Sequence, residues 1–120
     1  MPRDVRAYLA DIVESCDAIQ AAVVGLDLRS YQANRLVRSS VEREFIIVGE
    51  AIATLSRKSP ATVAAIARAR RIVDFRNRLT HEYSTVDDEF VWAIVEHDVP
   101  VLRAECQALL DRSDPVVGAD

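Results

Sequence analysis

Apolar residues recur at steps of three and four along most of the chain, and this spacing constrains the fold more than any other feature. Residues at those steps lie on one face of an α-helix, so each such stretch predicts an amphipathic helix. No stretch alternates apolar and polar residues like a half-buried strand. We therefore predict an all-α fold, a bundle of four to five helices. The first helix is predicted over residues 5–26, with its apolar face formed by Val5, Leu9, Ile12, Val13, Cys16, Ile19, Val23 and Leu26.

Turn-forming and capping residues delimit the second predicted helix. Gly25 and Asp27 are the stop signals of the first helix, and Ser30 is the predicted N-cap of the second. This helix is expected to run to about residue 57 and to bend near residues 39–40. Its predicted core face comprises Leu36, Val37, Val41, Phe45, Val48, Ile52 and Leu55.

Two prolines shape the rest of the bundle. Pro60 begins a short third helix, because proline is tolerated in a first turn. A further helix is predicted over residues 69–83, and Asp87 or Asp88 caps a long last helix. Pro100 lies inside that last helix and should kink or divide it, since proline lacks a backbone donor.

Length and composition fit one domain of ordinary globular character. The chain has 120 residues, half of them hydrophobic, and we assign residues 1–112 to the domain and 113–120 to a frayed tail. Cys16 and Cys106 have no metal-ligand or redox spacing and are predicted to be small buried hydrophobes, as in a reducing cytoplasm. The longest uncharged runs have nine residues, whereas a membrane span needs about 20. A cytoplasmic protein that does not cross a membrane is therefore expected.

Charge is unevenly distributed along a chain whose formal net charge is −4. Between residues 68 and 82, five arginines accompany two acidic residues, whereas from residue 87 to the end nine acidic residues accompany two arginines. The negative net charge does not favour binding of nucleic acid by the protein surface as a whole. The basic stretch, however, can bind an anion.

A polar cluster lies at the C-terminal end of the helix predicted over residues 69–83. Asn77 and His81 are four apart and share a face, while Arg76 lies on a flanking surface, with about 7.5 Å of rise to His81. A guanidinium, an amide and an imidazole can together grip a phosphate and move a proton near neutral pH, and Tyr83 adds a phenol. The same residues also fit a structural role, in which His81 complements the helix dipole and Tyr83 is a half-buried anchor.

A glycine inside the second predicted helix also needs a reason. A glycine in a helix interior lowers helix stability by about 1 kcal/mol relative to alanine, so Gly49 is tolerable where another backbone packs closely against it. Glu50 follows it among apolar residues and needs a partner if it is buried. We hypothesise that Glu50 orients Arg76 or Asn77, an idea that exposure of Glu50 to solvent would contradict.

Three blocks of the sequence resemble the HepT-like branch of the HEPN superfamily. Arg76, His81 and Tyr83 match its R-x4-H-x-Y motif. Residues 45–51 (FIIVGEA) look like its Gly-Glu-Ala helix, and residues 86–102 resemble its last helix. The blocks occur in the family's order, and the resemblance covers most of the chain.

The resemblance implies the toxin of a type II or type VII toxin–antitoxin pair, whose partner is a minimal nucleotidyltransferase antitoxin. Such proteins are helical bundles that form homodimers, with the motif helices lining a cleft at the interface. They are typically endoribonucleases that need no metal and no cofactor, so Arg76, Asn77 and His81 are the predicted catalytic residues. Arg78 is a predicted RNA-binding residue. Tyr83 matches the tyrosine to which the antitoxin transfers AMP.

The implied chemistry suits these side chains, but two other classes of function stay open. RNA carries its own nucleophile, the 2′-OH, so two copies of His81 across a dimer can act as base and acid while Arg76 stabilises charge. Arg70 or Arg71 would add contacts to backbone phosphates. One alternative is a binding module with little RNase activity that docks a nucleotidyltransferase. The other is a purely structural helical subunit.

Overall fold

The computed structural model describes residues 3–81 and 86–112, and all regular structure in these residues is helical. Because no strand occurs in them, the predicted all-α fold is confirmed. In chain order the elements are α1 (Val5–Ala22), α2 (Leu28–Ala33), α3 (Arg35–Lys58), α4 (Pro60–Ala64), α5 (Ala69–His81), α6 (Asp88–Ala93), a π-helical turn (Ile94–Asp98) and α7 (Val99–Arg112). The tail predicted from residue 113 lies outside the described residues.

The first helix ends four residues before its predicted end at residue 26, and a turn then leads to α2. Helix α1 ends at Ala22, and Gly25 adopts a φ of 78°, a left-handed conformation that only glycine adopts at little cost. Asp27, not Ser30, caps α2: its carboxylate accepts a 2.9 Å hydrogen bond from the Ser30 amide. The Ser30 hydroxyl accepts one of equal length from the Asp27 amide. The predicted cap at Ser30 is therefore wrong, since Ser30 is the third-residue partner of a capping box.

The second predicted helix is divided at Asn34 and does not merely bend at residues 39–40. Asn34 adopts an extended conformation, and its side-chain oxygen accepts a hydrogen bond of 3.1 Å from the Val37 amide. Asparagine favours such local bonds over helix continuation, so α3 begins afresh at Arg35. The break turns the first turn of α3 outwards. Leu36 is consequently 84% exposed, and its predicted place in the core is wrong.

Helix α3 is the centre of the bundle, because it packs against α1 on one side and α5 on the other. Helix α1 in turn packs against α7. The ring of Phe45 on α3 meets Phe75 on α5 edge-on at 5.1 Å, and Phe75 meets Phe90 on α6 in the same way at 5.5 Å. This aromatic row fixes the position of α5 between α3 and α6. The other predicted core residues of α3 that are buried are Val41, Val48, Ile52 and Leu55.

The last predicted helix is divided as its proline suggests. Asp87 caps α6 through a 2.9 Å hydrogen bond from the Glu89 amide, as predicted. A π-helical turn then precedes α7, in which Pro100 is the second residue. Pro100 cannot donate a backbone hydrogen bond, and its ring crowds the carbonyl four residues earlier, so the helix widens there.

The π-helical turn carries a fully buried carboxylate that holds part of the basic stretch. Asp98 accepts a 3.0 Å hydrogen bond from Arg68 Nη1 and a 2.7 Å bond from Arg71 Nε. Such charge-assisted bonds contribute about 1.5–3 kcal/mol each. They tie the N-terminal end of α5 to the last helix. Arg71, which the sequence suggested as a phosphate contact, is therefore engaged in an internal ion pair.

The two cysteines behave as predicted. Both Cys16 and Cys106 are buried, and burial raises the pKa of each thiol to about 12, so neither ionises near neutral pH. Among the described residues, no helix combines the length and apolar character needed to cross a membrane.

Candidate functional site

Helix α5 presents the predicted polar cluster on its exposed side. Its buried face comprises Ala69, Ile72, Phe75 and Leu79, so the helical repeat directs Asn77 and His81 outwards together. Within the described residues, neither of these two side chains has a hydrogen bond or an ion pair. The Thr80 hydroxyl, by contrast, bonds to the Arg76 and Asn77 carbonyls at 3.2 and 3.1 Å. The amide and the imidazole are therefore available to a ligand, whereas the hydroxyl is used locally.

Arg76 lies on the flank of α5 that faces α3, directly across Gly49. An alanine methyl at position 49 would overlap Arg76 Cβ and lie only 2.6 Å from Arg76 Cγ. The absence of a side chain on Gly49 thus lets Arg76 lie flat against α3, with its side chain only 20% exposed. The glycine inside the helix marks a close approach, as the sequence predicted, and the group that approaches is Arg76.

The guanidinium of Arg76 is held by packing more than by hydrogen bonds. Its Nε is buried without a partner among the described residues, and its Nη1 lies 3.9 Å from Glu50 Oε2, beyond hydrogen-bond distance. The Glu50 side chain is 62% exposed. The prediction that Glu50 orients Arg76 from a buried position is therefore wrong. Glu50 is one residue, about 100° of helical rotation, past the buried position of Gly49, so its carboxylate lies in solvent at the edge of α3 and reaches Arg76 only as a long ion pair.

An open pocket of about 340 Å³ lies next to the Arg76 guanidinium, between α3 and α5. Arg57 contributes a second guanidinium, whose Nη2 is 3.5 Å from the Thr54 hydroxyl. The two guanidinium groups outnumber the single carboxylate of Glu50 in the lining, so the pocket keeps a net positive charge that suits an anion of the size of a phosphate. Sequence analysis missed Arg57, because only the antiparallel packing of α3 on α5 brings residue 57 near residue 76. The pocket is lined by Glu50, Ala53, Thr54, Arg57 and Arg76.

Arg78 is exposed but is separated from Arg76 by the width of α5. Its guanidinium carbon lies 5.3 Å from the centre of the Phe90 ring, on the side of α5 that faces α6. Arg71 approaches the same ring at 5.1 Å. Arg76 and Arg78 therefore flank the Asn77 and His81 face from opposite sides. Tyr83 lies outside the described residues.

Comparison with known proteins gives one family. The family model described as "Ribonuclease HepT-like" matches residues 12–109. A protein of Methanocaldococcus jannaschii named "Putative RNase MJ1380" is 30% identical over 105 residues, which are 88% of this chain and 95% of the relative. "Probable ribonuclease HepT" of Thermococcus cleftensis is 26% identical over 109 residues, which are 91% of this chain and 98% of the relative. No solved structure matches the chain. The matched range includes Gly49, Arg76, Asn77 and His81.

Proposed function

Because this chain belongs to the HepT-like ribonuclease family, we propose that it is a toxin that cleaves RNA at a cleft between two copies of α5, without a metal ion. The observation that carries the proposal is the arrangement at the end of α5. His81 and Asn77 are exposed there and have no hydrogen-bond or ion-pair partner in the part of the chain that the structure describes, while Arg76 is held against Gly49 on the adjacent flank.

The reaction needs one base, one acid and stabilisation of negative charge. The imidazole of one His81 takes the proton of the 2′-OH as the O2′–P bond forms. The imidazolium of the second His81 gives its proton to the 5′-oxygen as the P–O5′ bond breaks. The products are a 2′,3′-cyclic phosphate and a free 5′-OH. One imidazole cannot perform both transfers in one step, so the proposed active form is a homodimer.

The other polar residues of α5 bind and orient the RNA in this proposal. Arg76 stabilises the charge that develops on the phosphorane oxygens, and Asn77 holds the imidazole or contacts the phosphate. Arg78, exposed on the opposite flank, holds a neighbouring backbone phosphate, which positions RNA without selecting its sequence.

The test is cleavage of RNA by the purified wild-type protein in EDTA, with the new ends identified by mass spectrometry. We expect cleavage to proceed in EDTA and to leave 2′,3′-cyclic phosphate and 5′-OH ends, because only side chains and the 2′-OH take part. Loss of activity in EDTA, with recovery on adding Mg²⁺, would contradict the mechanism. A folded dimer that carries no adduct and cleaves nothing would favour the binding module.

We further propose that a nucleotidyltransferase antitoxin neutralises the protein by transferring AMP to Tyr83. Tyr83 is two residues beyond His81, so a bulky anion on its phenol would cover the cationic cleft and repel RNA. We expect Tyr83→Phe to retain cleavage but to escape neutralisation when the antitoxin and ATP are added. Intact-mass measurement should show AMP on the wild type and none on the variant. An adduct on Tyr83→Phe, such as one on the half-buried Tyr8, would place the acceptor elsewhere.

A further inference from the structure

A second open groove, of about 380 Å³, lies between α3, α4 and the N-terminal half of α5. Its floor is apolar and includes the deeply buried Ile52 and Ala69. Its rim carries the cation of Arg70 and the carboxylate of Asp74, one turn apart on α5. The remaining lining residues are Ser56, Val63 and Val73.

The rim residues of this groove lie on the same stripe of α5 as the candidate catalytic residues. Positions 70, 74, 77 and 81 are separated by steps of four, three and four, so they form one continuous row along the helix. From Asp74 to His81 the row rises by about 10.5 Å. A stacked strand advances about 3.4 Å per nucleotide, so this rise corresponds to about three nucleotides or fewer. An RNA strand bound at His81 can therefore reach the groove.

The charges on the rim have no partner inside the described residues. Arg70 and Asp74 are both exposed, and within that part of the chain neither has an ion pair or a side-chain hydrogen bond. This contrasts with Arg68 and Arg71, which are paired with Asp98. Arg70 is thus the cation at this end of α5 that is available to a phosphate or to the face of a base.

Asp74 determines which part of a nucleotide suits the groove. A carboxylate repels backbone phosphates, so its presence beside RNA is favourable only where it accepts hydrogen bonds from a base. Unpaired bases in single-stranded RNA are read in this way, by stacking and through their Watson–Crick edges. Guanine offers two adjacent donors there, N1–H and N2–H, which match both carboxylate oxygens. On the same edge, adenine, cytosine and uracil each place an acceptor beside a donor.

We propose that the groove between α3, α4 and α5 is a guanine-binding subsite, in which the base lies on the apolar floor, Asp74 accepts from N1–H and N2–H, and Arg70 holds the adjoining phosphate. The inference rests on the proposed function, because it needs single-stranded RNA to follow the Asn77 and His81 face. It makes Asp74 the residue that selects the base, a few nucleotides from the scissile bond.

Binding is measured first, so that the result does not depend on cleavage. His81→Ala protein is titrated by fluorescence anisotropy with single-stranded oligouridylates that contain one guanosine or none. We expect the guanosine-containing RNA to bind about tenfold more tightly, as for a good bidentate contact. Asp74→Asn in the same background should remove that preference, even if removing a negative charge raises affinity for both RNAs. Glu14→Gln is the matched control, since Glu14 is an exposed carboxylate on α1, outside the groove, and this variant should keep the preference.

A second variant blocks the groove without removing a charge. Ser56 is exposed at the rim of the groove, so Ser56→Phe fills it while leaving the core intact. We expect this variant to bind both RNAs with the same affinity and to keep the oligomeric state of the wild type. If Ser56→Phe changes the oligomeric state but keeps the guanosine preference, the groove is a contact between copies and the proposal is wrong.

The same RNAs, given to wild-type protein, separate the two proposals. Cleavage without any guanosine preference would overturn the subsite but leave the ribonuclease. A guanosine preference that depends on Asp74, without cleavage, would overturn the ribonuclease but support the subsite. Absence of binding to either RNA would overturn both.

Discussion

Replacement of His81 by alanine is expected to lower the rate of RNA cleavage by about 10²–10⁴-fold, the usual contribution of a positioned acid or base. In the proposed dimer the substitution removes both the base and the acid, so we expect a loss near the upper end of this range. The side chain is exposed and has no hydrogen bond or ion pair within residues 3–81 and 86–112, so the unfolding midpoint should stay near that of the wild type. The measurement is the initial rate of cleavage of a labelled RNA, beside a denaturation curve of each protein.

The chain contains its own matched control for this experiment. His97 is the second of two histidines, and it is exposed on the π-helical turn, on another element than α5. His97→Ala should cleave at the wild-type rate. Added imidazole should restore part of the activity of His81→Ala, because position 81 is exposed and free imidazole can reach it from solvent. Equal loss in the two variants, or no loss in either, would contradict the role assigned to His81.

Substitution of Gly49 by alanine is expected to damage both the packing and the activity. Helix propensity by itself favours alanine by about 1 kcal/mol. The new methyl, however, would overlap Arg76 Cβ and approach its Cγ to 2.6 Å. These atoms are next to the backbone of α5, so either the two helices separate or Arg76 leaves the surface of α3. Overpacking of this kind costs about 1–3 kcal/mol. We expect a net loss of up to about 2 kcal/mol in the free energy of unfolding.

The effect of Gly49→Ala on cleavage should exceed its effect on stability. If the guanidinium of Arg76 is displaced, its stabilisation of the transition state is lost, and removal of such a preorganised donor costs about 10²–10³-fold in rate. The control is the double variant Gly49→Ala with Arg76→Gly, which moves the Cβ atom from α5 to α3. That variant should regain stability without regaining activity. A Gly49→Ala protein with the wild-type rate and an unchanged free energy of unfolding would show that Arg76 does not depend on this contact.

Two of the wrong predictions, those for Leu36 and Glu50, concern the direction of a side chain around its helix. The sequence predicts Leu36 in the core and allows Glu50 as a buried partner of Arg76 or Asn77, because apolar residues surround both. Whether such a residue is buried depends on its angle around the helix, and that angle is reset by the break at Asn34 for Leu36. For Glu50, one residue of rotation past Gly49 is enough to reach solvent. Arg71 was equally plausible as a phosphate contact until its position against the buried Asp98 was known.

Local sequence patterns were sufficient to predict the all-α class, the Asp87 cap, the irregularity of the last helix at Pro100 and the helix face that Asn77 and His81 share. Each of these depends on residues within a few positions of one another, where helical geometry alone determines which side chains share a face. The family could also be identified at this level, because each of the three blocks that carry the resemblance is contiguous in sequence and the blocks occur in the family's order.

Contacts between separate helices could be identified only from the tertiary structure. The fit of Gly49 to Arg76, the nearness of Arg57 to the same pocket, and the capture of Arg68 and Arg71 by Asp98 join residues about 20 to 30 positions apart. Their alignment depends on the register in which α3, α5 and the last helix pack. That register is set by the shape of the whole core, including the aromatic row of Phe45, Phe75 and Phe90, which no local pattern encodes.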